Sequence, residues 1–160
     1  MNREIVIGVV SDTHLDNDNG SFLDLVERFF HNCSLIIHCG DITNEDIFLS
    51  VNKEILAVKG NMDLNSRLPI KRELNILNKK IGVIHGYGSP NGIRERIRKE
   101  FHKVDCILYG HTHYPFYGYE NGVLFLNPGS AFDKRWADKQ TIGFLRISEN
   151  NIEGKIIEIE

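Results

Sequence analysis

The chain has 160 residues, of which 41% are hydrophobic and 26% charged, and a formal net charge of -3. That length suits one domain, 1–160, with a real core, and that composition excludes a disordered chain. The mild negative balance, both signs interspersed, argues against a dedicated nucleic-acid binder and leaves a small anionic substrate in need of a local positive centre.

The N-terminus runs straight into an apolar segment, Ile5–Val10, with no signal-peptide pattern. No apolar stretch approaches membrane-spanning length. The three cysteines, Cys33, Cys39 and Cys106, include no C-x-x-C pair, which fits a reducing compartment. A soluble cytoplasmic protein with no membrane partner is expected.

Ile5–Val10 reads as a buried strand and ends at Asp12-Thr13-His14. Ser21 is a candidate cap for a helix to His31 with Phe22, Leu25, Val26, Phe29 and Phe30 on one face. The strand Leu35–Cys39 closes on Gly40-Asp41, and Thr43 is placed to cap a short helix carrying Ile47, Phe48 and Val51. The strand Ile55–Val58 closes on Gly60-Asn61-Met62-Asp63. Arg67–Leu77 contributes a strand before a turn at Asn78-Lys79-Lys80. Ile81–Ile84 ends at His85-Gly86, and Ser89-Pro90 starts a helix with Ile93, Ile97 and Phe101 in an apolar stripe. Its Arg94, Arg96, Arg98 and Lys99 read as a solvated face. Asp105–Tyr109 ends at Gly110-His111-Thr112-His113. The last third reads as strands Phe116–Glu120, Val123–Leu126, Thr141–Ser148 and Ile152–Ile159, with hairpin turns at Glu120-Asn121-Gly122 and Glu149-Asn150-Asn151. Charges around Ile152, Ile156 and Ile157 make the last strand an edge, which leaves room for a homo-oligomer.

Five strands thus end in metal-ligand residue types, and strand ends are where an α/β fold gathers distant residues. In an extended segment, Asp12 and His14 point the same way and can face one ion. Gly40 permits close approach, so the Asp41 carboxylate can bridge two cations, one on each oxygen. The Asn61 amide oxygen is a neutral hard ligand. His85, His111 and His113 add imidazoles, the two of Gly-His-Thr-His being spaced to serve neighbouring metals. Asp63 reads as an acceptor that fixes a ligand or the loop. Each motif alone recurs by chance; their joint placement points to a two-metal site. His38, inside a strand, reads as a hydrogen-bonded core residue supporting the Asp41 turn, and His31 and His102 as solvated. Arg135 is a candidate for a substrate phosphate or a surface ion pair, and Phe132 and Trp136 for a cleft or a subunit contact.

The order Asp-x-His, Gly-Asp, Gly-Asn-x-Asp, His-Gly, Gly-His-Thr-His and Asn127-Pro128-Gly129-Ser130 resembles the calcineurin-like metallophosphoesterases. It is closest to the small prokaryotic phosphodiesterase branch related to Vps29. The resemblance implies an α/β fold, a four-layer αββα sandwich of two mixed sheets flanked by helices. It implies Asp12, His14, Asp41 and His113 around one metal and Asp41, Asn61, His85 and His111 around the other. Two divalent ions are implied, Mn²⁺ first, with Ni²⁺, Zn²⁺, Fe²⁺, Co²⁺ or Mg²⁺ as alternatives. Met62 stands where most of the superfamily has a histidine that helps the leaving group, which favours leaving groups needing little protonation.

The expected reaction is hydrolysis of a small phosphate ester. A water or hydroxide held between two ions about 3.5–4 Å apart attacks phosphorus. Asn61 and His111 line the phosphate as catalytic candidates, and no side-chain nucleophile is required. The alternative is a Vps29-like protein-binding scaffold with a vestigial or structural metal site.

Overall fold

The structure is a computed structural model that describes residues 2–159. Its elements in chain order begin with β1 (Glu4–Val10), α1 (Ser21–Phe29), β2 (Leu35–His38), a 3-10 turn (Glu45–Phe48), β3 (Ile55–Ala57) and β4 (Lys71–Ile76). They continue with β5 (Lys79–Ile84), α2 (Ile93–Arg98), β6 (Cys106–Leu108), β7 (Phe116–Glu120), β8 (Val123–Asn127), β9 (Thr141–Ser148) and β10 (Ile152–Glu158).

Two five-stranded sheets form, in the orders β10-β9-β1-β2-β3 and β4-β5-β6-β8-β7. In the first, β1, β2 and β3 are parallel, β9 is antiparallel to β1, and β10 is antiparallel to β9. In the second, β5, β6 and β8 are parallel, flanked by antiparallel β4 and β7. Both sheets are therefore mixed, as expected. The parallel strands are the near-continuous apolar runs, because both of their faces are covered.

Alternation along each strand divides the core into layers. Ile7 and Val9 of β1 meet Ile81, Val83, Leu124 and Leu126 of the other sheet in the central layer. Val10 and Ile36 face out and pack under Phe22, Leu25 and Val26 of α1. On the far side, Ile107 and Phe125 pack under Ile93 and Ile97 of α2. The result is helix, sheet, sheet, helix, with β10 at an open edge.

Several local expectations need correction. α1 starts after Gly20, whose left-handed backbone provides the N-cap without a side-chain bond; Ser21 lies inside the helix. Asn44, not Thr43, caps the 3-10 turn, accepting from the Asp46 N–H. α2 begins at Ile93, later than Ser89-Pro90, because Ser89 is used in a turn that bonds the Asn91 N–H. The β4–β5 turn is Leu77-Asn78, since Lys79 already pairs with Ile76. The basic residues of α2 are not a free face. Arg94 pairs with Glu120 at 2.7 Å and lies over the Phe116 ring, while Arg96 Nε donates to the Tyr87 carbonyl.

Among the described residues, no helix is long and apolar enough to cross a membrane.

Candidate metal centre

The C-terminal ends of β1, β2, β3, β5 and β6 carry the seven sequence-predicted residues, and these side chains meet at one edge of the sandwich. His14 Nε2 and His85 Nε2 lie 3.6 and 3.4 Å from Asp41 Oδ2. Asp12 Oδ1 lies 3.3 Å from His113 Nε2 and 3.8 Å from both His14 Nε2 and His85 Nε2. Asn61 Oδ1 is 3.1 Å from His85 Nε2 and 3.3 Å from His111 Nδ1.

The imidazoles sort into two pairs, with ring centroids 5.2 Å apart for His14 and His113 and 5.3 Å for His85 and His111. Distance alone defines two tight groups: Asp12, His14 and His113, and Asp12, Asp41 and His85. Asp12 is common to both, a place that the family resemblance implies for Asp41. The His111 ring stands outside both groups, beside the Asn61 amide and the His85 ring.

The carboxylates are tethered alike. Asp12 Oδ2 accepts from the Ser11 hydroxyl at 2.7 Å and the His111 N–H at 3.1 Å, leaving Oδ1 aimed at the imidazoles. Asp41 Oδ1 accepts from the Met62 N–H at 2.8 Å, leaving Oδ2. Oδ1 keeps a second lone pair beside the Met62 N–H, so Oδ2 is the freer of the two Asp41 oxygens.

The imidazoles are oriented from behind. His85 Nδ1 donates to the Cys39 carbonyl at 2.8 Å, His111 Nε2 to Gly88 at 2.9 Å, and His113 Nδ1 to Asp133. With those N–H groups committed, the second nitrogens present lone pairs to the centre. With the imidazoles neutral, oxygen and nitrogen acceptors thus face one another with no donor between them. Asp12 Oδ1, His14 Nε2 and His113 Nε2 are buried with no hydrogen-bond partner. Buried polar atoms are rarely left so. A divalent cation is the partner that satisfies an all-acceptor set, so these residues fit one.

Charge follows the same geometry. Burial alone would raise Asp12, but His113, His14 and His85 hold it well below the usual carboxylate range. Asp41 also ends lowered against its burial, chiefly by His85. His85 and His113 end raised against theirs, by Asp41 and Asp12 respectively.

The backbone carries strain here. Asp12, His14, Asp41, His111 and His113 all have φ between 47° and 73°. Left-handed backbone in non-glycine residues clusters at functional sites. This corrects the extended-segment argument: Asp12 and His14 converge through two left-handed kinks, not by strand alternation. Close approach does the rest. A Cβ on Gly110 would sit 2.0 Å from Ser11 Oγ, and one on Gly60 would sit 2.2 Å from Asp41 Oδ1.

Asp63 supports the turn as expected, and more completely. Its Oδ2 accepts from Asp41 and Gly60 N–H at 2.9 and 2.8 Å, and its Oδ1 from Ile42 and Thr43 N–H at 2.9 and 2.8 Å. His38 is fully buried; Nδ1 accepts from Gly40 N–H, so Nε2 carries the proton and donates to Thr13 Oγ1. Two supports were not assigned from sequence. Ser130 Oγ donates to the Asp12 carbonyl at 2.7 Å, and Asn127 Nδ2 donates to the Gly110 carbonyl at 3.1 Å. Their signal was a polar Asn-Pro-Gly-Ser loop directly after the apolar strand β8. Arg135 pairs with Asp133 at 3.4 Å, and Trp136 is 85% exposed.

An αββα sandwich with an all-acceptor cluster at the strand ends is the frame of a metal-binding α/β domain. Residues 5–150 match the calcineurin-like phosphoesterase superfamily domain, and the chain belongs to that superfamily. It is 42% identical to a probable metallophosphoesterase of Methanocaldococcus jannaschii, over 98% of this chain and 82% of that protein. Among solved structures it is similar to an archaeal phosphodiesterase, with TM-score 0.72 and 26% identity, covering 96% of this chain and 100% of that one. It also shares the fold of Vacuolar Protein Sorting 29 from Cryptosporidium parvum, with TM-score 0.77 and 18% identity, covering 98% and 92%. By family the chain is a phosphoesterase, a hydrolase of a superfamily that uses divalent metals.

Proposed function

We propose that residues 1–160 form one metallophosphoesterase domain that hydrolyses small phosphate esters at two divalent ions. Asp12, His14, Asp41 and His113 would hold one, and Asp41, Asn61, His85 and His111 the other. The carrying observation is the convergence of acceptors with three of them buried and unpartnered. Sharing of Asp41 rests on the position of Oδ2 beside both His14 and His85. Such ions, when bound, supply Lewis acidity toward phosphoryl oxygens and acidify water.

The chain's own residues orient that chemistry. Ser11, Met62 N–H and the backbone carbonyls behind His85, His111 and His113 fix the two carboxylates and those three imidazoles before substrate arrives. Asn61 and His111, at the more open side of the cluster, are placed to face the phosphate. Cys39 and Cys106 are fully buried, and burial pushes both thiols up, which argues against a thiolate nucleophile. Met62, half exposed, offers no proton, so esters with good leaving groups are preferred. The complete acceptor set weighs against a scaffold with a vestigial site.

The test is turnover of p-nitrophenyl phosphate mono- and diesters by protein stripped with chelator and reloaded with Mn²⁺, Ni²⁺, Co²⁺ or Zn²⁺. Activity in reloaded wild type and loss in Asp41→Ala are expected. Inactivity of every reloaded form, or equal rates in the two proteins, would sink the proposal.

A further inference from the structure

A cleft of about 230 Å³ opens beside the metal centre and shares Asn61 and His85 with it. Its exposed lining is overwhelmingly apolar, with Ile70, Ile84 and Tyr87 beside Lys59 and no carboxylate among the described residues that line it. Ile84 belongs to the core beneath, but Ile70 is 69% exposed and Tyr87 46% exposed. Single exposed apolar side chains are ordinary. Two in one concavity that runs into a charge-dense centre are a different matter.

Both walls are built rather than loose. Ile70 sits one residue beyond the last pair of the β4–β5 hairpin, Lys71 with Ile84. The neighbouring strand end is tied across by the Lys59 N–H to the Pro69 carbonyl at 2.8 Å. Tyr87 follows the His85 turn. Its hydroxyl donates to Glu100 at 2.8 Å, its carbonyl accepts from Arg96 Nε at 2.9 Å, and the Arg96 guanidinium lies 5.7 Å from its ring. With the hydroxyl engaged elsewhere, the ring is the recognition surface. A dry apolar cavity of about 150 Å³ accepts one benzene molecule, so the cleft has room for one ring and its link to phosphorus.

We propose that this cleft receives a planar aromatic substituent of the phosphate ester, an aryl or nucleobase ring, against Tyr87 and Ile70. The ester's phosphoryl group then lies at Asn61 and His111. The absence of a carboxylate and the presence of Lys59 suit the anionic ester. The inference rests on the proposed reaction and names the substrate class for it. Aromatic faces pack well on such rings, and burying one on an apolar wall is expected to strengthen binding on the order of tenfold.

Calorimetric titration of the Mn²⁺-loaded protein with methylphosphonate, phenylphosphonate and a nucleoside 5′-phosphonate tests this without turnover. Phenylphosphonate should bind on the order of tenfold more tightly than methylphosphonate. That advantage should collapse in Tyr87→Ala and in Ile70→Ser and persist in Tyr87→Phe. A larger gain for the nucleoside phosphonate assigns the cleft to a nucleobase, and a larger gain for phenylphosphonate to a simple aryl group; either order supports a ring site. Equal binding of the methyl and phenyl compounds, or an advantage intact in both truncations, overturns the cleft while leaving the metal reading standing. Failure of methylphosphonate itself to bind overturns both. Exposure of the two side chains keeps folding out of the comparison, and matched thermal unfolding of the variants checks that.

Discussion

The two ends of the sandwich handle backbone conformation in opposite ways. At one end lie the hairpin turns Leu77-Asn78, Asn121-Gly122 and Glu149-Asn151. There, left-handed φ is given mainly to Asn121 and Gly122, residues that tolerate it. At the other end, left-handed φ falls on Asp12, His14, Asp41, His111 and His113, where glycine would cost nothing in strain but would carry no ligand. Leu77 is the exception at the hairpin end, and packing against the central core holds it there. The hairpin end is thus built for folding and the loop end for ligand placement.

The largest expected effects fall at the loop end. Asp41→Ala should empty both metal positions and lower kcat/KM by about 10³-fold or more, since its Oδ2 lies beside both imidazole sets, whereas Asp12→Ala should empty mainly the position it shares with His14 and His113. His14→Ala should remove close to one ion. Elemental analysis beside kinetics checks this; two tightly held ions in Asp41→Ala would break the division.

Next in size is Asp63→Asn. An amide nitrogen would face two of the four N–H groups that the carboxylate now accepts. A loss of about 3 kcal/mol is expected from buried donors left unpaired. Urea unfolding of the metal-free protein measures it, and an unchanged midpoint would mean the turn stands without Asp63.

The third prediction is a pH dependence. Burial pushes His38 down to about 4 from its ordinary value near 6.5. Between those values the unfolded chain binds a proton that the native His38 refuses. His38 therefore lowers stability as pH falls through that window, by up to about 3 kcal/mol, and has no such effect above it. His85 and His113 are raised and act with the opposite sign, so the His38 contribution is the difference between wild type and His38→Gln. A pH-independent difference would contradict a neutral buried imidazole.

The smallest effect belongs to the hairpin end. Asn121→Gly suits the φ of 51° already present. Stability should move by no more than about 0.5 kcal/mol, with metal content unchanged. A change in bound metal would show that the two ends are not independent.

Much of this was legible in sequence because apolar runs and their ends carry both signals at once. Ile5–Val10 and Asp105–Tyr109 marked the central strands, and the polar residues just past them marked the site. What stayed hidden was conformational. Nothing in Asp-Thr-His indicates left-handed backbone, so the alternation argument brought Asp12 and His14 together for the wrong reason. The Asp41 tether depends on the Met62 N–H, which has no side-chain signature. The Arg94 pairing with Glu120 needed the tertiary neighbourhood of β7. Ser130 and Asn127 were visible as residues, but their bonds to Asp12 and Gly110 span 118 and 17 positions that only the packed sheets bring together.

The loops after β1, β2 and β3 come from one sheet, and those after β5 and β6 from the other. Asp12, His14, Asp41 and Asn61 stand on the first side, while His85, His111 and His113 stand on the second. An ion coordinated from both sides is a rivet through the sandwich, and it can be set only after the sheets have docked. Free metal at about a hundredfold over its dissociation constant would add about 2.7 kcal/mol to unfolding. In a metal-starved cell the same protein would be not merely idle but looser at its seam, and more open to proteolysis there.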